Sequence, residues 1–250
     1  MAYRYDSDLE FLEQIPSESL NDLVYLLTHD KDGSERLTEE LTNNANYKAY
    51  YPDHNKYWQD IAAEIQCFGA NTFATIFRGG KGVLYREILT DVCDKLKVNY
   101  NKNSNIQNIE NCLLMKILED ALDSMTPEEI RELGGELGIK NTSGLTSQTL
   151  TAAFQTIFKA GGFKSYQLTL IIVNQVMKAL IGRGLSLAAN ATLMRAMSIL
   201  TGPIGWAITG IWAAVDIGGA AYRVTIPAVI QVAFLRTQLS AVLADEITFE

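Results

Sequence analysis

Residues 196–215 read AMSILTGPIGWAITGIWAAV, an unbroken run of 20 residues without a charge. That is about the length an α-helix needs to cross the hydrocarbon core of a bilayer. Gly202-Pro203 divides the run. Proline cannot continue an incoming helix, but it suits the first turn of an outgoing one. The stretch therefore predicts a helical hairpin, with one arm over Leu185–Leu200 and the other over Ile204–Ala221. At 1.5 Å per residue the arms measure about 24 and 27 Å, just short of a relaxed span of about 30 Å.

Working outward, Asp216 is the only acidic residue from Leu137 to Ala244, although the 250-residue chain carries a net charge of −8. Residues 1–150 hold 14 basic and 25 acidic side chains, and residues 151–250 hold 7 and 4. The chain thus pairs an acidic, water-facing front with an apolar, faintly basic rear. With 48% hydrophobic and 20% charged residues, it has enough apolar surface to fold. The acidic balance argues against nucleic acid, which needs a basic footprint. Three widely spaced cysteines, Cys67, Cys93 and Cys112, do not make a disulfide framework. The N-terminus, MAYRYDSDLEF, lacks the apolar core of an export signal. A reducing, cytoplasmic setting is expected, either free or peripheral or integral at the inner membrane.

Apolar residues recur at helical spacing almost throughout, and no β-alternation exceeds a few residues. Helices are expected from Asp6 or Ser7 to Gln14, from Ser17 to about Asp30, and from Ser34 to Leu41. Thr42–Pro52 reads as a loop. Asp53 opens a helix that Gly69 should break, and Val83–Val98 carries the next stripe. Asn99–Asn105 is a linker. Helices over Ser104–Met125 and Thr126–Leu137 follow, the second with a Thr126/Glu129 capping box. Further helices reach Ala160, run over Lys164–Ile181, and close the chain over about Tyr222–Leu243, with Pro227 in the first turn or kinking it. The expected class is all-α, a multi-helix bundle of roughly ten to twelve helices with a hydrophobic C-terminal hairpin. Its linear parts are a short N-terminal helical module (1–50), an acidic amphipathic region (51–140), and an apolar core or membrane-associating region (141–250).

Few residues carry chemistry. His29 and His54 are the two histidines, and neither has the clustered partners a metal site needs. No metal or cofactor is expected. Arg78-Gly79-Gly80-Lys81-Gly82 ahead of a helix could cradle an anion, with Arg78, Lys81 and Arg86 as contacts, or could simply turn a helix corner. Glu64 borders a buried stripe and could pair with Arg78 or Arg86. An enzyme would need a polar pocket gathering Glu64, His54, Tyr85 or Arg86.

The hairpin is the sharpest feature. Gly210, Ala214 and Gly218 recur every four residues, a small-residue face that permits close helix approach. Trp206 and Trp212 share that helix. Asp216, a lone acid in apolar surroundings, calls for an internal partner such as Arg223 or Arg195. Gly202, Pro203, Gly210, Asp216, Tyr222 and Arg223 are expected to set the hairpin, and Pro227 the entry of the last helix. Such a hairpin is either the core of a soluble bundle or a membrane element.

Several strings resemble one known group. They are Asp6–Leu12 (DSDLEFL), Leu26-Leu27-Thr28-His29, Trp58–Gly69 (WQDIAAEIQCFG), Arg78-Gly79, Gly82–Val92 (GVLYREILTDV) and Ala221–Gln231 (AYRVTIPAVIQ). They are similar to the YaaW family of uncharacterised bacterial proteins, linked by name to ubiquinol–cytochrome c chaperones. The resemblance implies a helical module with a short N-terminal accompaniment and brings no active site. The expected function is therefore a non-enzymatic, chaperone-like binding protein with a sheathed hydrophobic hairpin. It would act through a protein partner, self-association or membrane lipid. The competing reading is a membrane-inserting, pore-forming or toxin-like protein.

Overall fold

A computed structural model describes residues 3–72, 82–137, 139–186, 202–214 and 221–247, with side chains for all of these except 70–72, 213–214 and 243–247. Among the described residues there are ten α-helices and no strand, only an isolated bridge between His29 and Glu35. The helices are α1 (Ser17–Thr28), α2 (Ala45–Tyr50), α3 (Trp58–Thr72), α4 (Tyr85–Lys95), α5 (Ile106–Ser124), α6 (Pro127–Glu136), α7 (Ser147–Ala160), α8 (Gly162–Ile181), α9 (Pro203–Ala214) and α10 (Tyr222–Ile247). The all-α class read from periodicity is what the chain adopts.

The chain divides into two units. The first comprises residues 1–110 and 217–239, the second residues 111–216 and 240–250. In the first, Leu20, Leu23 and Leu27 of α1, Ile61 and Ile65 of α3, Ile88 and Val92 of α4, and Val229 and Phe234 of α10 are buried. In the second, Leu133 of α6, Phe154 of α7, Ile172 and Val176 of α8, and Ile204 and Ile208 of α9 are buried. Each such side chain contributes about 1.5–3 kcal/mol when withdrawn from water.

The local signals explain most boundaries. Thr126 and Glu129 form the capping box that starts α6: Glu129 N–H donates to Thr126 Oγ1 at 3.3 Å, and Thr126 N–H donates to Glu129 Oε2 at 2.7 Å. Gly182, at φ +81°, ends α8 in the left-handed conformation that glycine adopts without strain.

Three expectations fail. The segment after Ser34 forms turns, because Arg36 donates to the His29 carbonyl at 2.6 Å and ion-pairs with Asp30. Such local side-chain bonds compete with a helix. Residues 45–50, expected as loop, form α2, capped by Asn44, whose side chain accepts from Asn46 N–H at 2.8 Å. Gly69 does not break α3; a Cβ there would stand 2.6 Å from Ile88 Cδ1 and 2.8 Å from Val83 Cγ2, so glycine serves close packing against α4. The first arm of the expected hairpin beyond Ser186 and the Arg78-to-Lys81 corner lie outside the described residues.

Candidate binding surfaces

The first unit is organised by a buried polar network that begins in the N-terminal segment. Asp6 is buried, and its carboxylate accepts from the backbone N–H of Tyr85, the first residue of α4, at 2.6 Å. It also accepts from Asp8 N–H at 3.1 Å. Beside it, Gln66 exchanges two bonds with the Arg4 backbone, at 3.0 and 2.8 Å. An unpaired helix N-terminus favours a carboxylate through its free N–H groups and its dipole. Asp6 thus caps a helix from across the fold.

The Tyr85 hydroxyl continues the network, donating to Glu110 Oε1 at 2.8 Å. Arg236 on α10 meets Glu110 at 2.9 Å, donates to the Asp8 carbonyl at 2.5 Å, and lies 4.1 Å above the Phe11 ring. Burial pushes the Glu110 carboxyl up, and Arg236 and Tyr85 oppose the shift. Burial likewise pushes the Tyr85 phenol well up. Neither Arg236 nor Glu110 is among the residues the sequence singles out. Arg236 is the only charged residue between Val224 and Ala244, and an isolated charge in an apolar helix demands an internal partner. That signal was present. On the same helix Gln231 is fully buried, and neither its amide nitrogen nor its amide oxygen has a hydrogen-bond partner among the described residues.

The residues an enzyme would have to gather sit in three separate settings. Tyr85 belongs to the network above. Glu64 is buried on α3, where both carboxylate oxygens accept from Glu40 N–H at 3.3 Å. Burial chiefly raises its pKa to about 7, with Glu39 and Glu40 adding to the shift. Buried His54 has Nε2 2.6 Å from Asn21 Oδ1 and Nδ1 against the Tyr57 hydroxyl, and burial lowers its pKa. Arg86 spends its guanidinium on Ser104 O at 2.9 Å and on Asp8 at 3.8 Å. Arg78 and Lys81, named with it as anion contacts, lie outside the described residues. Among the described residues no cluster of three or more His, Cys, Asp or Glu side chains could hold a metal.

The hairpin residues divide between two helices. Pro203 opens α9 and is buried; Gly202 precedes it, where a Cβ would stand 2.5 Å from a carboxylate oxygen of Glu136. Trp212 faces inward at 6% exposure, whereas Trp206 faces solvent at 76%. Gly210 is exposed with open space where a side chain would project. Thr209 donates to Gln175 Oε1 of α8 at 3.2 Å and to the Gly205 carbonyl at 2.9 Å. Asp216 lies outside the described residues. Tyr222 starts α10 with Lys95 Nζ 5.1 Å from its ring centre, and burial together with Asp91 pushes its phenol up to about 12. Arg223 is exposed, and Pro227 is buried inside α10 rather than in its first turn.

One helical stretch among the described residues, Tyr222–Val242, is long and apolar enough to cross a membrane, and most of it is buried within the fold. A core helix meets the same criterion.

Comparison with known proteins adds the family. Residues 53–231 match the family described as Ubiquinol-cytochrome C chaperone, and residues 3–37 match a Domain of unknown function (DUF3944). A UPF0174 protein of Helicobacter pylori strain J99 is 56% identical over 236 residues, covering 94% of this chain and 93% of the relative. A UPF0174 protein of Helicobacter pylori strain 26695 is 43% identical over 209 residues, covering 82% of this chain and all of the relative. The UPF0174 protein YaaW of Escherichia coli K12 is 35% identical over 245 residues, covering 96% and 97%. No solved structure matches. With similarity running through both the N-terminal segment and the chaperone-like region, the chain belongs to the UPF0174 (YaaW) family, within the wider ubiquinol-cytochrome C chaperone group.

Proposed function

We propose that this chain is a non-catalytic helical binding protein that works like an assembly chaperone, holding a protein partner rather than transforming a small molecule. The observation that carries the reading is the match to the ubiquinol-cytochrome C chaperone family over residues 53–231. It is supported by the way Glu64, His54 and Tyr85 are closed off by separate internal partners. A cytoplasmic location, free or at the inner membrane, goes with this role. In cells lacking the gene, native gel separation should show one assembly depleted, and its unassembled subunit should bind the purified chain in a fixed ratio. Unchanged assemblies would sink the reading.

A second reading is membrane insertion, as in a pore-forming protein. It is favoured by the uncharged run of residues 196–215 and by the length and apolarity of Tyr222–Val242. Insertion would require α10 to leave its buried setting and carry Arg236 with it, at a cost of several kcal/mol for the charge. Protection of α10 from a membrane-restricted photolabel in intact cells would remove it.

A further inference from the structure

Residues 4–15 are held through their main chain by side chains from elsewhere in the first unit. Gln66 of α3 accepts from Arg4 N–H at 3.0 Å and donates to the Arg4 carbonyl at 2.8 Å. Arg236 of α10 donates to the Asp8 carbonyl at 2.5 Å. Asn55, just before α3, donates to the carbonyls of Glu13 at 2.5 Å and of Ile15 at 3.1 Å. A helix or a sheet would satisfy such groups with other main-chain groups. Here side chains of the surrounding fold engage the backbone itself, as a receptor does with a bound peptide, and pockets are left to select the side chains.

The side chains that enter the fold follow one period. Asp6, Leu9, Leu12 and Ile15, every third residue, are buried. The N–H groups of Leu9, Leu12 and Ile15 donate to the carbonyls of Asp6, Leu9 and Leu12 at 3.0, 3.1 and 3.2 Å. Bonds of this spacing stack every third side chain along one edge. Asp6 meets the first N–H of α4 at 2.6 Å, and the three apolar residues sink into the core. Arg4, Tyr5, Ser7, Glu10, Glu13 and Gln14 are exposed, so the segment lies along the outside of the unit. The two family matches divide at this contact. Residues 3–37 contain the segment, and residues 53–231 contain Asn55, Gln66 and Tyr85, which hold it.

We propose that residues 4–15 are an exchangeable occupant of a peptide seat, and that the partner displacing them presents a protein segment of the same chemistry. That segment carries an aspartate followed by leucine-sized residues three, six and nine positions on. The chain thereby keeps its own seat closed until such a segment competes for it. That the displacing chain is a protein partner rests on the binding-protein reading; whether the seat exchanges does not. A seat that fails to exchange leaves that reading, which is tested by depletion of an assembly, untouched.

A fluorescent peptide copying residues 3–15, mixed with the full chain and followed by anisotropy, tests the exchange. The wild type should bind it weakly, because an occupied seat lowers the apparent affinity by the fraction of time it stands free. Arg4→Pro removes the N–H that Gln66 holds and should tighten peptide binding by about fivefold, the weight of one hydrogen bond. A peptide carrying Leu9→Ser and Leu12→Ser should not bind. Hydrogen exchange in the wild type needs no variant. The amides of Leu9, Leu12 and Ile15 should exchange faster than those of Ile65 and Phe68 in α3, since the segment must leave while the rest of the unit stays folded. Equal exchange of the two sets overturns the proposal. So does the same peptide affinity in the wild type and the Arg4→Pro chain, or equal binding of the serine-substituted peptide.

Discussion

Asp6 and Tyr85, 79 residues apart in sequence, are joined by a 2.6 Å bond in which the first N–H of α4 donates to the Asp6 carboxylate. The N-terminal segment thereby supplies a cap that residue 84, a leucine, cannot give. Asp6→Ala should lower stability by about 1–3 kcal/mol, the range for losing a cap and leaving a buried donor unmet. A shift in the urea midpoint without a change in slope would measure it. An unchanged midpoint would mean that the bond carries no net weight.

The Arg236–Glu110 pair makes an asymmetric prediction. Arg236→Met alone strands a buried carboxylate and should cost about 3–5 kcal/mol. Glu110→Leu combined with Arg236→Met removes both charges and should cost less than either single change, because desolvation of the pair disappears with it. A double-mutant cycle by denaturant unfolding reads the coupling directly. Additive losses would contradict the network.

Glu64 should make stability depend on pH. Its folded carboxyl titrates at about 7 against an ordinary value of 4.5, so the folded chain holds this proton more tightly than the unfolded chain. The contribution is full below about pH 4.5 and is lost as pH rises through about 7, on the order of 3 kcal/mol in all. The groups facing it are Glu39, Glu40, Arg36 and Cys67. Unfolding measured from pH 5 to pH 8 should show the decline, and Glu64→Gln should flatten it. A wild-type profile that rises over this window would reverse the sign and refute the assignment.

Two glycines should respond in opposite directions. Gly69→Ala places a methyl against Ile88 and Val83 and should destabilise by about 1–3 kcal/mol despite the better helix propensity of alanine. Ile88→Ala in the same chain should recover part of that loss. Gly135 in α6 has open space around it, so Gly135→Ala should stabilise by about 0.5–1 kcal/mol. Thermal unfolding of the three variants separates packing from propensity.

Gln231 leaves both amide atoms without partners among the described residues. Replacing it with leucine should stabilise by about 1 kcal/mol or more, because an unmet buried polar group carries its full desolvation cost. A loss of stability in calorimetry would show that the amide is satisfied in solution.

Local order was largely legible in the residues. Helical period, the Thr126/Glu129 capping box and the Gly182 stop are short-range properties that need only neighbouring residues, and α4 to α8 follow them closely. The misreadings share one cause. By sequence Gly69 reads as a breaker, but its meaning depends on Ile88 and Val83, which only the packing of α3 on α4 brings near. Ser34–Leu41 has helical spacing, yet Arg36 spends its donors on carbonyls of α1 and its end.

The same division holds for the candidate surfaces. An acidic front, an apolar rear, an all-α class and the absence of a clustered metal-ligand pattern follow from composition and periodicity, because these express how each residue partitions between water and an apolar interior. Which tryptophan is covered does not follow. Trp206 and Trp212 lie six residues apart on one helix, and only the packing of that helix buries one and leaves the other in solvent. The pairing of Arg236 with Glu110, and of Asp6 with Tyr85, likewise belongs to the tertiary structure. Contacts across such distances in sequence are selected by how whole helices pack, and no local rule encodes that.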